Sequence, residues 1–84
     1  MNWNVTSVEA KPPLALLVQF HDGTRGTVRF ETSYLTGVFE PLRNPQVFRK
    51  VRVEYGTVTW PGEIDLAPDA MYREIKRNGE WVLR

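Results

Sequence analysis

Leu14-Ala15-Leu16-Leu17-Val18-Gln19-Phe20-His21-Asp22-Gly23-Thr24-Arg25-Gly26-Thr27-Val28-Arg29-Phe30 holds two strand patterns around one turn. Residues 14–20 are apolar on both faces, which suits a central, well-covered strand. In 25–30, Val28 and Phe30 alternate with Thr27 and Arg29, the period of a strand with one buried face. A two-residue Asp22-Gly23 loop would set Leu16 against Arg29 and Val18 against Thr27. A three-residue loop, His21-Asp22-Gly23, sets Leu16 against Val28 and Leu14 against Phe30, and puts Gly23 at the left-handed position of a type I turn with a G1 bulge. A slip of one residue turns every side chain over, so the apolar pairs select the three-residue loop.

Working outward, residues 3–10 (Trp3, Val5, Val8) read as an irregular strand, ended by Lys11-Pro12-Pro13 because prolines donate no ladder hydrogen bonds. Between 31 and 48 the pattern is of short helical turns. Leu35, Val38, Phe39 and Leu42 recur at spacings of three and four as one apolar stripe, with Gly37 and Pro41 limiting helix length. Asn44-Pro45 reads as an N-cap and a first-position proline, opening one turn that carries Val47 and Phe48 inward. Residues 50–60 form a second hairpin. A Tyr55-Gly56 turn puts Val53 opposite Val58 and Val51 opposite Trp60, leaving Lys50, Arg52, Glu54, Thr57 and Thr59 outside.

The helix signal is sharpest over 68–77. Pro68 suits its first position, and Asp69 meets the positive end of the helix dipole. Leu66 and Met71 bracket Ala67 as a hydrophobic staple. Met71, Tyr72 and Ile75 form the buried stripe, Arg73, Lys76 and Arg77 face water, and Asn78-Gly79 ends the helix. Glu80 to Arg84 admits two readings, a final edge strand or a loose tail. The expected fold is α+β in two layers: an antiparallel sheet of four or five strands built from two hairpins, the C-terminal helix packed on one face, and short helical turns in the middle.

Composition narrows the function classes. The 84 residues suit one domain, 1–84, and are too few for two cores. The 42% hydrophobic and 25% charged shares are those of a globular chain rather than a disordered one. The chain has no cysteine, which removes disulfides, thiolate nucleophiles and cysteine-ligated zinc, and fits a reducing compartment. Its longest apolar run, Leu14 to Val18, falls far short of the roughly 20 residues that span a bilayer. Met1-Asn2-Trp3-Asn4 lacks the pattern of a signal peptide, so a cytoplasmic protein is expected, with no membrane partner. Eleven basic and ten acidic residues give +1, without the basic excess that phosphate neutralisation requires, which argues against nucleic acid.

Three segments, in order, resemble a bacterial family known as domain of unknown function 2442. Val18-Gln19-Phe20-His21-Asp22-Gly23-Thr24 matches the family's first hairpin. Val38-Phe39-Glu40-Pro41-Leu42-Arg43-Asn44-Pro45 with Phe48 matches its middle segment. Thr57-Val58-Thr59-Trp60-Pro61-Gly62-Glu63-Ile64-Asp65-Leu66-Ala67-Pro68-Asp69-Ala70-Met71-Tyr72 resembles its closing signature: strand, Trp-Pro, a glycine-bearing turn, Asp-Leu, and a helix opening with proline. Residues 61–64 read Pro-Gly-Glu-Ile where the family more often has Pro-Asn-Gly-Ala. The resemblance implies a small α+β domain with no established activity. It also implies a neighbouring small protein, of domain of unknown function family 4160, in an arrangement similar to toxin–antitoxin pairs.

Weighed residue by residue, little chemistry stands out. His21, the lone histidine, lies in a turn beside Asp22 without a nucleophile or further metal ligands, so a solvated turn residue is the reading. Asp65, with Glu63 and Asp69, could serve a site, but bonding to backbone amides ahead of the helix is the favoured role, and the calcium-loop spacing is missing. Trp60-Pro61 is either a binding anchor or core filling, with core favoured. Trp3 and Trp81, near the ends, would mark an interaction surface if exposed. Arg43, Arg49, Lys50 and Arg52 cluster in one region and Arg73, Lys76, Arg77 and Arg84 in another, each broken by acids and read as a solvated face. No phosphate loop or nucleophile elbow occurs, and Ser7 and Ser33 lack a base.

The expectation is a non-enzymatic protein-interaction module without cofactor, catalytic or metal residues. Its partner would be another small protein, with homodimerisation through a sheet edge or the Glu80–Arg84 tail as a further option. The candidate surface comprises Trp60, Pro61, Glu63, Asp65, Trp3 and Trp81. The rival readings are a nucleic-acid-binding accessory domain and a small-ligand site around Trp60, Glu63 and Asp65.

Overall fold

The computed structural model describes residues 3–84; Met1 and Asn2, which enter the signal-peptide reading, lie outside the described residues. In chain order the elements begin with strands β1 (Val5–Lys11), β2 (Ala15–Phe20) and β3 (Arg25–Phe30). Two 3-10 turns follow, Thr32–Tyr34 and Gly37–Arg43, and then the short helix α1 (Pro45–Phe48). Strands β4 (Arg52–Glu54), β5 (Thr57–Trp60) and β6 (Ile64–Asp65), helix α2 (Pro68–Asn78) and strand β7 (Glu80–Leu83) complete it.

The mixed α+β class, the helical middle and the C-terminal helix are as the sequence led us to expect. The strands, however, divide into two open sheets, ordered β1-β2-β3-β7 and β4-β5-β6. The first hairpin has the expected register, with Leu16 opposite Val28. Its loop is the three-residue one: the Gly23 N–H donates to the Phe20 carbonyl at 2.9 Å, and Gly23 has φ +89°. The irregularity of the first strand is a register shift between Val5 and Ser7, after which Val8 pairs with Val18 on the same face of the sheet. In the second hairpin Val53 pairs with Val58 across Tyr55-Gly56. Both turn residues are left-handed, at φ +52° and +77°, the requirement of a type I′ turn.

Four expectations need correction. The sheet is not wholly antiparallel: the Glu80–Arg84 segment forms β7, which lies parallel to β3. Strand β2 is central but covered on one face only, since Leu17 is 42% exposed; the helix and second sheet all pack on the Leu16–Val18–Phe20 side. Val38 is 71% exposed, because a 3-10 segment repeats every three residues and keeps Phe39 and Leu42 together while rotating Val38 away. Thr59, expected outside, is buried because β6 adds to the free edge of β5, and its hydroxyl donates to the Ile64 carbonyl at 2.8 Å.

The core sits between the inner face of the larger sheet and everything else. Phe30, Phe48 and Trp60 meet edge-on or tilted at 5.6–6.1 Å between centroids. Asn44 caps α1 by accepting from the Gln46 N–H at 2.9 Å. Helix α2 starts at Pro68 after an Ala67 that offers no side-chain cap. Leu66 and Met71, the expected staple pair, are both buried. The helix ends at Gly79, φ +80°, as expected.

Candidate functional site

The residues singled out in the sequence do not gather in one place. Trp60 is 0% exposed and its indole N–H donates to the Phe48 carbonyl at 2.9 Å, so it fills the core and lines no surface. Pro61, Glu63 and Asp65 are exposed around the β5–β6 turn, where Gly62 and Glu63 take φ +94° and +63°. The Asp65 carboxylate accepts no hydrogen bond among the described residues; the amide-bonding role expected for it is absent, and β6 pairing holds that turn instead. With Trp60 sealed inside, Glu63 and Asp65 form no site with it. Trp81 is half-buried against the core from β7.

Trp3 is different. It flanks an open groove of about 640 Å³ along α2, lined also by Asp69, Tyr72, Arg73, Lys76 and Arg77. These helix positions recur at spacings of three and four, which is one face of a helix. The sequence pattern set Arg73, Lys76 and Arg77 on this outer face but Tyr72 in the buried stripe, whereas Tyr72 is half-buried; it gave no means of placing Trp3, nearly seventy positions earlier, beside them. The Lys76 ammonium lies 5.8 Å from the centre of the Tyr72 ring. Arg73 and Lys76 make no ion pair among the described residues, and Arg77 reaches Glu74 only at 4.0 Å. The floor of the groove is thus aromatic and its rim carries uncommitted cations.

One end of the groove is fixed to the first hairpin. Tyr72 stands edge-on to Phe20, 5.1 Å between centroids, and its hydroxyl donates to Asp22. Asp22 also accepts from the Thr24 N–H at 2.9 Å. Its pKa falls to about 2, first through the Tyr72 hydrogen bond, then through Thr24, with a smaller pull from Lys76. His21, by contrast, is held among the described residues through its backbone N–H, which donates to the Asn4 carbonyl at 2.8 Å.

The second basic cluster is largely committed. Arg43 donates from Nε to the Leu35 carbonyl at 2.7 Å and from Nη2 to Thr32 at 3.0 Å, tying the 3-10 turns together. Arg49 donates to Gln46, and Arg52 pairs with Glu54. Among the described residues no group of three or more His, Cys, Asp or Glu is placed to hold a metal. Among the described residues no helix is long and apolar enough to cross a membrane.

A four-stranded sheet with one bare face, a three-stranded sheet and a terminal helix thus define a small α+β domain with a basic, aromatic-floored groove. The chain belongs to the family described as protein of unknown function (DUF2442), whose model matches residues 5–77. No curated protein and no solved structure matches it.

Proposed function

We propose that this chain is a non-enzymatic protein-interaction module whose α2 groove takes an acidic segment of a small protein partner. The observation that carries the reading is the groove itself. Trp3 and Tyr72 supply an anchor surface of the kind that dominates binding energy. Arg73, Lys76 and Arg77 supply the charge that orients an acidic partner. The one strongly shifted carboxylate, Asp22, is engaged in holding the fold. The finer version, which rests on the sequence resemblance, makes the chain the antitoxin-like half of a pair in the cytoplasm, with a member of the 4160 family as its partner.

Co-expression with such a protein followed by size-exclusion chromatography tests both levels. Co-elution that Arg73→Glu with Lys76→Glu abolishes supports the groove. Co-elution that survives the double variant places the contact elsewhere, and separate elution rejects the 4160 partner. The same cations beside two stacking-capable rings also suit single-stranded nucleic acid. That reading requires binding that weakens steeply with salt, and a silent titration of an oligonucleotide at low salt removes it.

A further inference from the structure

The last strand leaves an open edge, and its sequence is complementary to itself. Within the larger sheet β7 is terminal, and among the described residues nothing pairs with its outer side. The Thr27 N–H meets the Gly79 carbonyl at 3.4 Å and the Glu31 N–H meets the Leu83 carbonyl at 2.8 Å, so positions 79, 81 and 83 turn their backbone groups toward β3. Alternation along a strand then turns the N–H and C=O groups of Glu80, Val82 and Arg84 outward.

The other long edge is guarded. Strand β1 is broken by its register shift, carries Lys11 and runs into Pro12-Pro13, all devices that discourage strand addition. Strand β7 has no proline, lysine or bulge. The edge strands of the smaller sheet, Arg52–Glu54 and Ile64–Asp65, are too short to matter.

We propose that β7 pairs with β7 of a second copy of this chain, antiparallel and centred on Val82, to make one continuous eight-stranded sheet. Of the registers in which outward-facing groups meet, this one pairs the most of them: Val82 opposite Val82, and Glu80 opposite Arg84 twice, giving six backbone hydrogen bonds. It is an isologous two-fold contact, so every group that one copy offers is met by the other. On the bare face of the sheet, Glu80 meets the Arg84 of the other copy. Glu80 already holds Arg29 at 2.8 Å, so the added cation extends a charge network across the two-fold axis. On the inner face, half-buried Trp81 lies opposite Leu83 of the other copy. This edge is separate from the α2 groove, so each proposal stands or fails alone.

Sedimentation equilibrium of the 84-residue chain between about 10 µM and roughly 1 mM is the test. The mass should rise from 9.8 kDa toward twice that value. Val82→Pro removes the central donors without touching the pairing to β3 and should weaken association about tenfold or more. Arg84→Glu sets acid against acid at an exposed position and should weaken it by roughly tenfold at low salt, independently of any folding effect of proline. A chain that stays at 9.8 kDa throughout, or a dimer indifferent to Arg84→Glu, overturns the proposal.

Discussion

The hydroxyl of Tyr72 donates a 2.5 Å hydrogen bond to Oδ2 of Asp22, fastening the middle of α2 to the tip of the first hairpin across 50 positions of sequence. Asp22 in turn accepts from Thr24 two residues on, so a single carboxylate serves its own turn and the helix together.

Tyr72→Phe should return the Asp22 pKa from about 2 toward its ordinary 3.8, read by an NMR titration of the side-chain carboxyl, while the ring stays against Phe20. The sign for stability follows from a depressed folded-state pKa. The contribution is present in full above about pH 4 and drains away as pH falls toward 2. A melting-temperature profile from pH 7 to 2 should therefore show wild type and Tyr72→Phe converging at the acid end. Curves that stay parallel would mean that the bond does not survive in solution.

Gly26→Ala should destabilise the protein by about 1–3 kcal/mol in urea unfolding. A Cβ there would lie 2.5 Å from Cγ2 of Ile75 and 2.8 Å from the Gly79 carbonyl oxygen. The Ile75 side chain has some freedom to turn aside, but the carbonyl belongs to the backbone that ends α2. Unchanged stability would show that the helix does not press on β3 so closely.

Trp60→Phe should cost about 2–4 kcal/mol, since it leaves a void in a sealed site and orphans the Phe48 carbonyl. The near-ultraviolet circular dichroism should lose intensity with it. Binding by whatever fraction stays folded should be normal, because this indole faces no solvent.

Among the described residues two that are not glycine hold left-handed backbone, and each invites replacement. Tyr55, fully exposed at φ +52°, makes no packing contact to lose, and Asn is far better suited to that conformation. Glu63, at φ +63°, holds a conformation that glycine adopts without steric cost. Tyr55→Asn and Glu63→Gly should each raise the melting temperature by roughly 2–5 °C. A fall in either would point to a role for the native side chain beyond the turn.

Both hairpins are legible in the sequence, because the apolar residues agree across the turn: Leu16 with Val28, and Val53 with Val58. The start of α2 was legible for the same local reason, with proline, acid and staple all in place within a few residues. What escaped the sequence was non-local. Nothing near Glu80 announces β3 as its neighbour, and the parallel pairing depends on where the helix delivers the chain. Leu17 misled because an apolar run does not say which of its faces will find cover, and Val38 because spacings of three and four do not distinguish a 3-10 segment from an α-helix. In the groove, Arg73, Lys76 and Arg77 were visible as a solvent face, whereas Tyr72 was read with the buried stripe and is half-buried at its border. Their meeting with Trp3 was not visible, since no local pattern links the two ends of the chain.

The parallel placement of β7 also sets an order of events. Strands β1 to β3 close through short connections, whereas Arg29 must find Glu80 across 51 positions, an encounter with a larger loop-closure cost. The meander can therefore assemble while the fourth strand is still diffusing, and the same strand should be the first to peel away. Amide protons of β2 should exchange with solvent most slowly, those joining β3 to β7 earlier, and the bared rim of β3 is then the surface that a chaperone or protease would meet.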